Sequence, residues 1–417
     1  MAIFGNLGNS GNFFSFVLCV SLGLQLLAQK PEGDGLPKVF LLDAKTLQEQ
    51  RQRVRAEPAN ELGRAVRAAG DRAMKEGPFS VMDKAVTPPS GDKHDYVSMG
   101  TYWWPNPTSA NGLPYIRRDG ETNPEIEKIP DHQNIGRVAR DSRILALVFY
   151  LTGEEAYAAR SALLLRTWFL DSATRMNPNL NFGQGIPGIT SGRGTGIIDS
   201  HTLPDVVDAV GLLAGSKNWT LRDEKGMKTW FAGYLAWLQD SPLGQDEAKA
   251  ANNHGTFYDV QVADFALFTG KPELARDVVQ QAKEKRLARQ VMPDGSQPLE
   301  AARTRGLSYS LFNLEGLMEL ALLAEHVGVD LWQYQTQDGR SIRKALDYTL
   351  PFAAGDKHWE RQQITEFKRQ EIVPLLLLAS SKFKHAEYEK AAQRIGPGER
   401  DAFSLLLQEQ ERAIRNK

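Results

Sequence analysis

From about residue 134 onward, apolar residues recur with the period of an α-helix, and this pattern limits the fold more than any other feature. Ile144, Leu147, Val148 and Leu151 stand at i, i+3, i+4 and i+7. Ala158, Ala162, Leu165 and Phe169 form a second such face, and Leu311, Leu314, Met318, Ala321 and Leu322 a third. Further helical stretches are predicted over roughly 204–214, 224–239, 246–269, 271–290, 340–352, 366–381 and 400–415. Gly153, Gly270 and Gly328 fall where helices should stop, the usual place for a glycine. Pro374, early in the 366–381 stretch, is expected to kink it. Alternating strand patterns are scarce. Helices of similar length repeated along a chain of 417 residues predict an all-α fold, an (α/α) toroid or barrel of helical hairpins with long active-site loops. No strict repeat is visible, so this expectation rests on element order.

The charge is balanced, 50 Lys+Arg against 51 Asp+Glu, which gives no support for nucleic-acid or membrane-surface binding. The uncharged apolar run 13–28 is short for a membrane span, is followed by polar residues and reads as the core of a secretory signal peptide. That predicts a signal over 1–28, one domain over 29–417, a periplasmic or secreted enzyme and no stable membrane association once the signal is removed. Residues 1–12 lack Lys and Arg, so an N-terminal anchor is the competing reading. The one cysteine, Cys19, lies in this run, which leaves the mature chain without disulfides or thiol chemistry.

Two long stretches interrupt the helices, about 83–133 and 171–203, and structureless loops of that length are usually functional. Three clusters carry groups suited to chemistry. Asn252, Asn253, His254 and Tyr258 fall within seven residues, with Asn252 readable as a helix cap. If the segment is helical, His254 and Tyr258 share a face. Arg303, Arg305 and Tyr309 precede a strongly apolar helix, with Glu300 just upstream. Tyr102, Trp103, Trp104 and then Arg117 and Arg118 mark the first loop; aromatic faces stack on sugar rings and guanidinium groups fork carboxylates. Each cluster also has a plain structural reading, as a helix start, a solvated basic turn or a buried aromatic anchor. There is no phosphate loop, no dinucleotide fingerprint, no HExxH and no G-x-S-x-G elbow. His201, His254, Asp199 and Asp259 show no recognisable metal-ligand spacing, so neither a metal nor another cofactor is expected.

Taken in order, YWWPNP, GLPYIRRDGETNPE, the Gly-rich run ending in GIIDSH, NNHGTFYD and EAARTRGLSY resemble the alginate lyase superfamily of α/α-toroid polysaccharide lyases, over roughly residues 95 to 380. The form of NNHGTFYD is most similar to polysaccharide lyase family thirty-eight, which acts on alginate or glucuronan. The resemblance implies cleavage of an anionic 1,4-linked uronan by β-elimination. It implies that Tyr309 is the catalytic tyrosine, His254 the catalytic histidine, and Asn253 and Arg303 the groups that neutralise the substrate carboxylate. Substrate-binding roles are expected of Trp103, Trp104, Gln184, His201, Asn252, Tyr258, Arg305 and Arg117.

These residue types suit the chemistry. The C5 proton of a uronate is barely acidic while its carboxylate is charged, and amide and guanidinium donors favour the dianion that forms. A tyrosine is a poor base at neutral pH, and nearby cations are expected to favour its phenolate. Two rivals remain: an α/α-barrel glycoside hydrolase, which needs two positioned carboxylates from Asp119, Asp199, Asp259 and Glu300, and a non-catalytic polysaccharide-binding protein built on Trp103 and Trp104. On the lyase reading, Arg117, Arg118, Arg193, Arg303 and Arg305 should form a basic groove on a balanced surface.

Overall fold

The computed structural model describes residues 35–396. The predicted signal segment and the predicted 400–415 helix lie outside the described residues. The described residues from Leu36 onward belong to one compact unit, and among them no helix is long and apolar enough to cross a membrane.

Four helices pack side by side in chain order: Asp131–Thr152, Leu203–Leu212, Asn253–Phe268 and Gly306–Glu325. Most of their residues are buried, as fits helices with neighbours on several sides. In Asn253–Phe268 every residue except His254 is buried. A second layer lies outside them: Glu155–Leu165, Leu221–Asp240, Pro272–Ala282 and Ile342–Ala353. These outer helices bury only a stripe; Pro272–Ala282 buries Ala275, Val279 and Ala282. The arrangement is the expected helical toroid, and the three apolar faces read from periodicity lie in its core except for the half-buried Leu322.

Local details depart from the periodicity in three places. The 246–269 stretch is two helices, Pro242–Ala248 and Asn253–Phe268, with a break between them. Pro374 does not kink a helix. It sits in the first turn of Val373–Phe383, where a missing N–H costs nothing. Two further helices, Ala44–Ala56 and Glu61–Ala73, precede residue 134, capped by Asp43 and Asn60 side chains on Thr46 N (2.6 Å) and Gly63 N (2.7 Å). The first buries only Thr46, Leu47, Gln50 and Val54, too few apolar residues to show a period.

The two long loops are ordered and joined to each other. Val97–Met99 in the first pairs in parallel with Phe182–Gly185 in the second. Trp103–Trp104 pairs with Ile116–Arg117 within the first. Together they wall a cavity over the starts of the inner helices Asp131–Thr152, Asn253–Phe268 and Gly306–Glu325.

Candidate active site

The break at 249–252 is what brings Asn252, Asn253 and His254 to the head of an inner helix. Arg286 holds it open. Its guanidinium donates to Ala248 O (2.9 Å) and Ala250 O (2.8 Å) and is anchored on the Asp259 carboxylate (2.8 and 3.1 Å). Gly255 leaves room for this, since a Cβ there would lie 2.1 Å from Ala250 O and 2.3 Å from Arg286 Nη1. Asn252 makes no side-chain cap bond. The head of the helix is instead met by the Glu300 carboxylate, which accepts from Asn253 N (2.6 Å) and Asn253 Nδ2 (2.6 Å), a favourable place for negative charge.

The cavity measures about 510 Å³. Nine of the expected residues line it: Tyr309, His254, Asn253, Arg303, Trp103, Gln184, His201, Asn252 and Arg117. Three do not. Tyr258 is buried and donates to Leu238 O (3.0 Å), because one turn beyond His254 the helix has already entered the core. Trp104 turns its Nε1 to Glu121 O (2.9 Å) and carries Arg118 over its ring at 5.0 Å. Arg305 packs over Tyr102 at 5.9 Å. Of the five arginines expected in a basic groove, Arg117, Arg193 and Arg303 line the cavity and Arg118 and Arg305 back the loop that walls it.

The local bonds set the state of each reactive group. His254 Nδ1 lies 2.6 Å from the Glu247 carboxylate, so in the neutral imidazole the proton sits on Nδ1 and the lone pair on Nε2. The Tyr309 hydroxyl is 2.6 Å from that of Tyr102. Burial and this hydrogen-bonded neighbour push Tyr309 well above the ordinary phenol value, and the Arg303 guanidinium, 3.9 Å from the ring centroid, offsets only part of that rise. The expectation of a favoured phenolate is therefore overturned. Arg303 is weakened as a charge source because Asp119 grips it through Nε (3.0 Å) and Nη2 (2.7 Å). Although burial opposes it, that pairing holds the Asp119 carboxyl well below the usual carboxylate range. His201 is kept neutral by burial; its Nδ1 faces Ile198 O (2.8 Å), and its ring packs edge-on against Phe257 and Phe312.

Sequence reasoning assigned no role to His132, Tyr102, Glu247 or Arg286. Only Tyr102 stood within a motif singled out, YWWPNP; the other three are brought in by tertiary contacts. The carboxylates a hydrolase would need are all committed. Asp119 is held by Arg303, and Asp199 accepts from Tyr96, Ser98 and Gln184. Asp259 is held by Arg286 and Glu300 by Asn253, both away from the cavity surface. Among the described residues no group of three or more His, Cys, Asp or Glu side chains is placed to hold a metal ion.

An all-helical toroid with a tyrosine, a histidine, an amide and a clamped arginine in one loop-walled cavity defines a polysaccharide lyase. The chain belongs to the alginate lyase family, whose model matches residues 80–359. No curated protein matches the chain. Among solved structures it is similar to an alginate lyase from Bacteroides ovatus, at 40% identity over 90% of this chain and 99% of that one, with a TM-score of 0.83. It shares its fold with alginate lyase A1-III from Sphingomonas species A1, at 17% identity over 91% of this chain and 99% of that one, TM-score 0.57. A variant of A1-III complexed with a tetrasaccharide gives TM-score 0.56 at 17% identity, over 85% and 90% of the two chains.

Proposed function

We propose that the protein cleaves alginate, a 1,4-linked uronan, by β-elimination. The observation that carries this reading is the placing of two proton-transfer groups in one cavity: a tyrosine held protonated and a histidine whose Nδ1 is engaged by Glu247, so that the neutral ring offers Nε2 as the base. His254 Nε2 takes the C5 proton. Tyr309 gives its proton to the C4 oxygen as that bond breaks. Asn253 spends one amide proton on Glu300 and keeps the other for the substrate carboxylate. Arg303 keeps its Nη1 protons for the same carboxylate while Asp119 fixes its orientation.

This division suits guluronate, in which H5 and O4 lie on opposite sides of the ring. In mannuronate and glucuronate they lie on the same side, and Tyr309 must first lose its proton to act as both base and acid. Cleavage of poly-guluronate should therefore extend to lower pH than cleavage of poly-mannuronate. Replacing His254 with alanine should hurt the first substrate more than the second; equal losses would sink the division of labour. We also propose, from residues 1–28, that the enzyme is exported to the periplasm or beyond.

The test is the ultraviolet absorbance of an unsaturated product when purified protein meets poly-mannuronate, poly-guluronate and glucuronan. Reducing ends without that absorbance would make it a hydrolase, and binding without cleavage would make it a binding protein.

A further inference from the structure

A second group of residues in the same cavity is not used by the cleavage scheme. Arg193 lies mostly buried in the wall. Its Nε and Nη2 donate to Gln184 O (3.1 Å) and Gln184 Oε1 (2.6 Å), and among the described residues no carboxylate lies within ion-pair distance of it. A guanidinium has five protons to give, and Gln184 takes two. Burial pulls Arg193 below its ordinary value and Arg117 adds repulsion, and the more distant Asp199 and Glu247 carboxylates offset this only in part. A bound anion would relieve both.

Beside it, His132 stands in the first turn of Asp131–Thr152 with Nδ1 3.4 Å from the Asp199 carboxylate. Burial opposes its charge, but Asp199 overcomes that and holds the imidazole above its ordinary value. Its Nε2–H is left to face the cavity. Asp199 itself is fixed by Tyr96 (3.0 Å), Ser98 (2.6 Å) and Gln184 (2.7 Å). Gln184 thus spans Asp199 and Arg193, and it does so with a left-handed backbone, φ 49°, that a non-glycine residue adopts only when its surroundings enforce it. Gly100 makes room in turn. A Cβ there would lie 2.6 Å from Trp103 Cδ1 and 3.3 Å from Arg193 Nη2.

The two groups are adjacent. Tyr102 meets Tyr309, and Trp103, the next residue along, lies under Arg193 at 5.9 Å. Consecutive Cα atoms are about 3.8 Å apart. Arg303 and Arg117 already share Asp119 (both 2.7 Å). Arg193 and His132 carry no such shared acid between them and also keep donors to spare.

We propose that Arg193 and His132 form a second carboxylate subsite, which grips the uronate next to the one being cleaved. This rests on the uronan-lyase reading and adds to it that the enzyme reads two successive carboxylates. Chains in which uronate alternates with a neutral sugar would fill only one of the two.

The test compares wild type, Arg193→Gln, Arg193→Lys and His132→Gln on oligouronates of two, three and four residues, by initial rates and by equilibrium binding. In wild type KM should fall as the chain lengthens past the cleaved linkage. R193Q should abolish that gain, raising KM for the tetramer about tenfold or more with a much smaller fall in kcat, the size expected for a charge-assisted bond. H132Q should act in the same direction, and R193K should recover part of the loss. If R193Q and H132Q keep the wild-type dependence of KM on length, the subsite is refuted. If R193Q does not fold, H132Q carries the test alone. Failure of wild type to form any unsaturated product would instead refute the lyase reading, and the binding series would then decide the subsite by itself.

Discussion

The cavity and the core beneath it both hold buried acids, and they treat them in opposite ways. Around the cavity each of four carboxylates has a donor. Asp119 meets Arg303, Asp199 meets three neutral donors and His132, Glu247 meets His254, and Glu300 meets Asn253. Further along the same inner helices the acids crowd together. Asp208 accepts from Phe40 N (2.6 Å) and Leu42 N (3.1 Å), yet burial still pushes its carboxyl up to about 6. Asp264 is fully buried, and neither of its oxygens has a hydrogen-bond partner among the described residues. Burial and its acidic neighbours Asp208 and Glu319 push it well above the carboxylate range, and burial with Glu315 does the same to Glu319. Arg143 pairs with Asp205 and lies 4.0 Å from Asp208, one cation among several acids. The difference teaches that this fold spends its donors where orientation matters to the reaction and leaves the deeper acids to stay protonated.

The sharpest test of that contrast is Tyr309→Phe. It removes the proton donor alone and should lower the rate about a thousandfold, the scale of general acid catalysis, with an unchanged melting temperature. A variant that loses stability in parallel would mean the cavity is structural. Next in size is Asp119→Asn, which releases Arg303. Activity should fall about ten- to a hundredfold through misplacement, read as kcat/KM on poly-guluronate. Retained activity would show that the clamp is not needed to aim the guanidinium.

The core should respond in stability and not in rate. Glu319→Gln keeps the shape and removes the acid, so at pH 8 it should stabilise the fold by about 1–2 kcal/mol in urea unfolding, and at pH 5 by almost nothing. Loss of stability at both pH values would mean that Glu319 carries a needed bond. The smallest effect is in the wild type itself. Asp208, raised in the fold to about 6, is protonated there while the unfolded chain has already ionised. Its stabilising contribution is full below about pH 4 and is lost as pH rises through 6. Asp119 and Asp223, held low, contribute the reverse dependence only at strongly acid pH. The melting temperature should therefore decline by a few degrees from pH 5.5 to pH 8. A rise over that interval would contradict the protonated core.

Much of the fold was legible because inner helices buried on every side leave long apolar runs. Leu311 to Ala321 and Ile144 to Leu151 could be read without knowing their partners. The break at 249–252 was legible only as a helix start at Asn252. Its cause, Arg286, lies more than thirty residues downstream. Nine cavity residues were found from motifs. Tyr258 was misplaced because helical spacing tells which residues share a face but not how far along the helix the cavity ends. Trp104 and Arg305 were misplaced because neighbouring residues in extended segments turn to different sides.

By itself the sequence determined the all-helical class and the motif residues, whose types suit proton transfer beside a neutralised carboxylate. Only the tertiary structure decided which proton each group holds. Glu247 fixes the orientation and tautomer of His254, Tyr102 and burial keep Tyr309 protonated, and Asp119 occupies Arg303. Residue type sets what a side chain can do, but its charge state depends on the few atoms within about 4–6 Å and on how much water is excluded, and distant segments supply both.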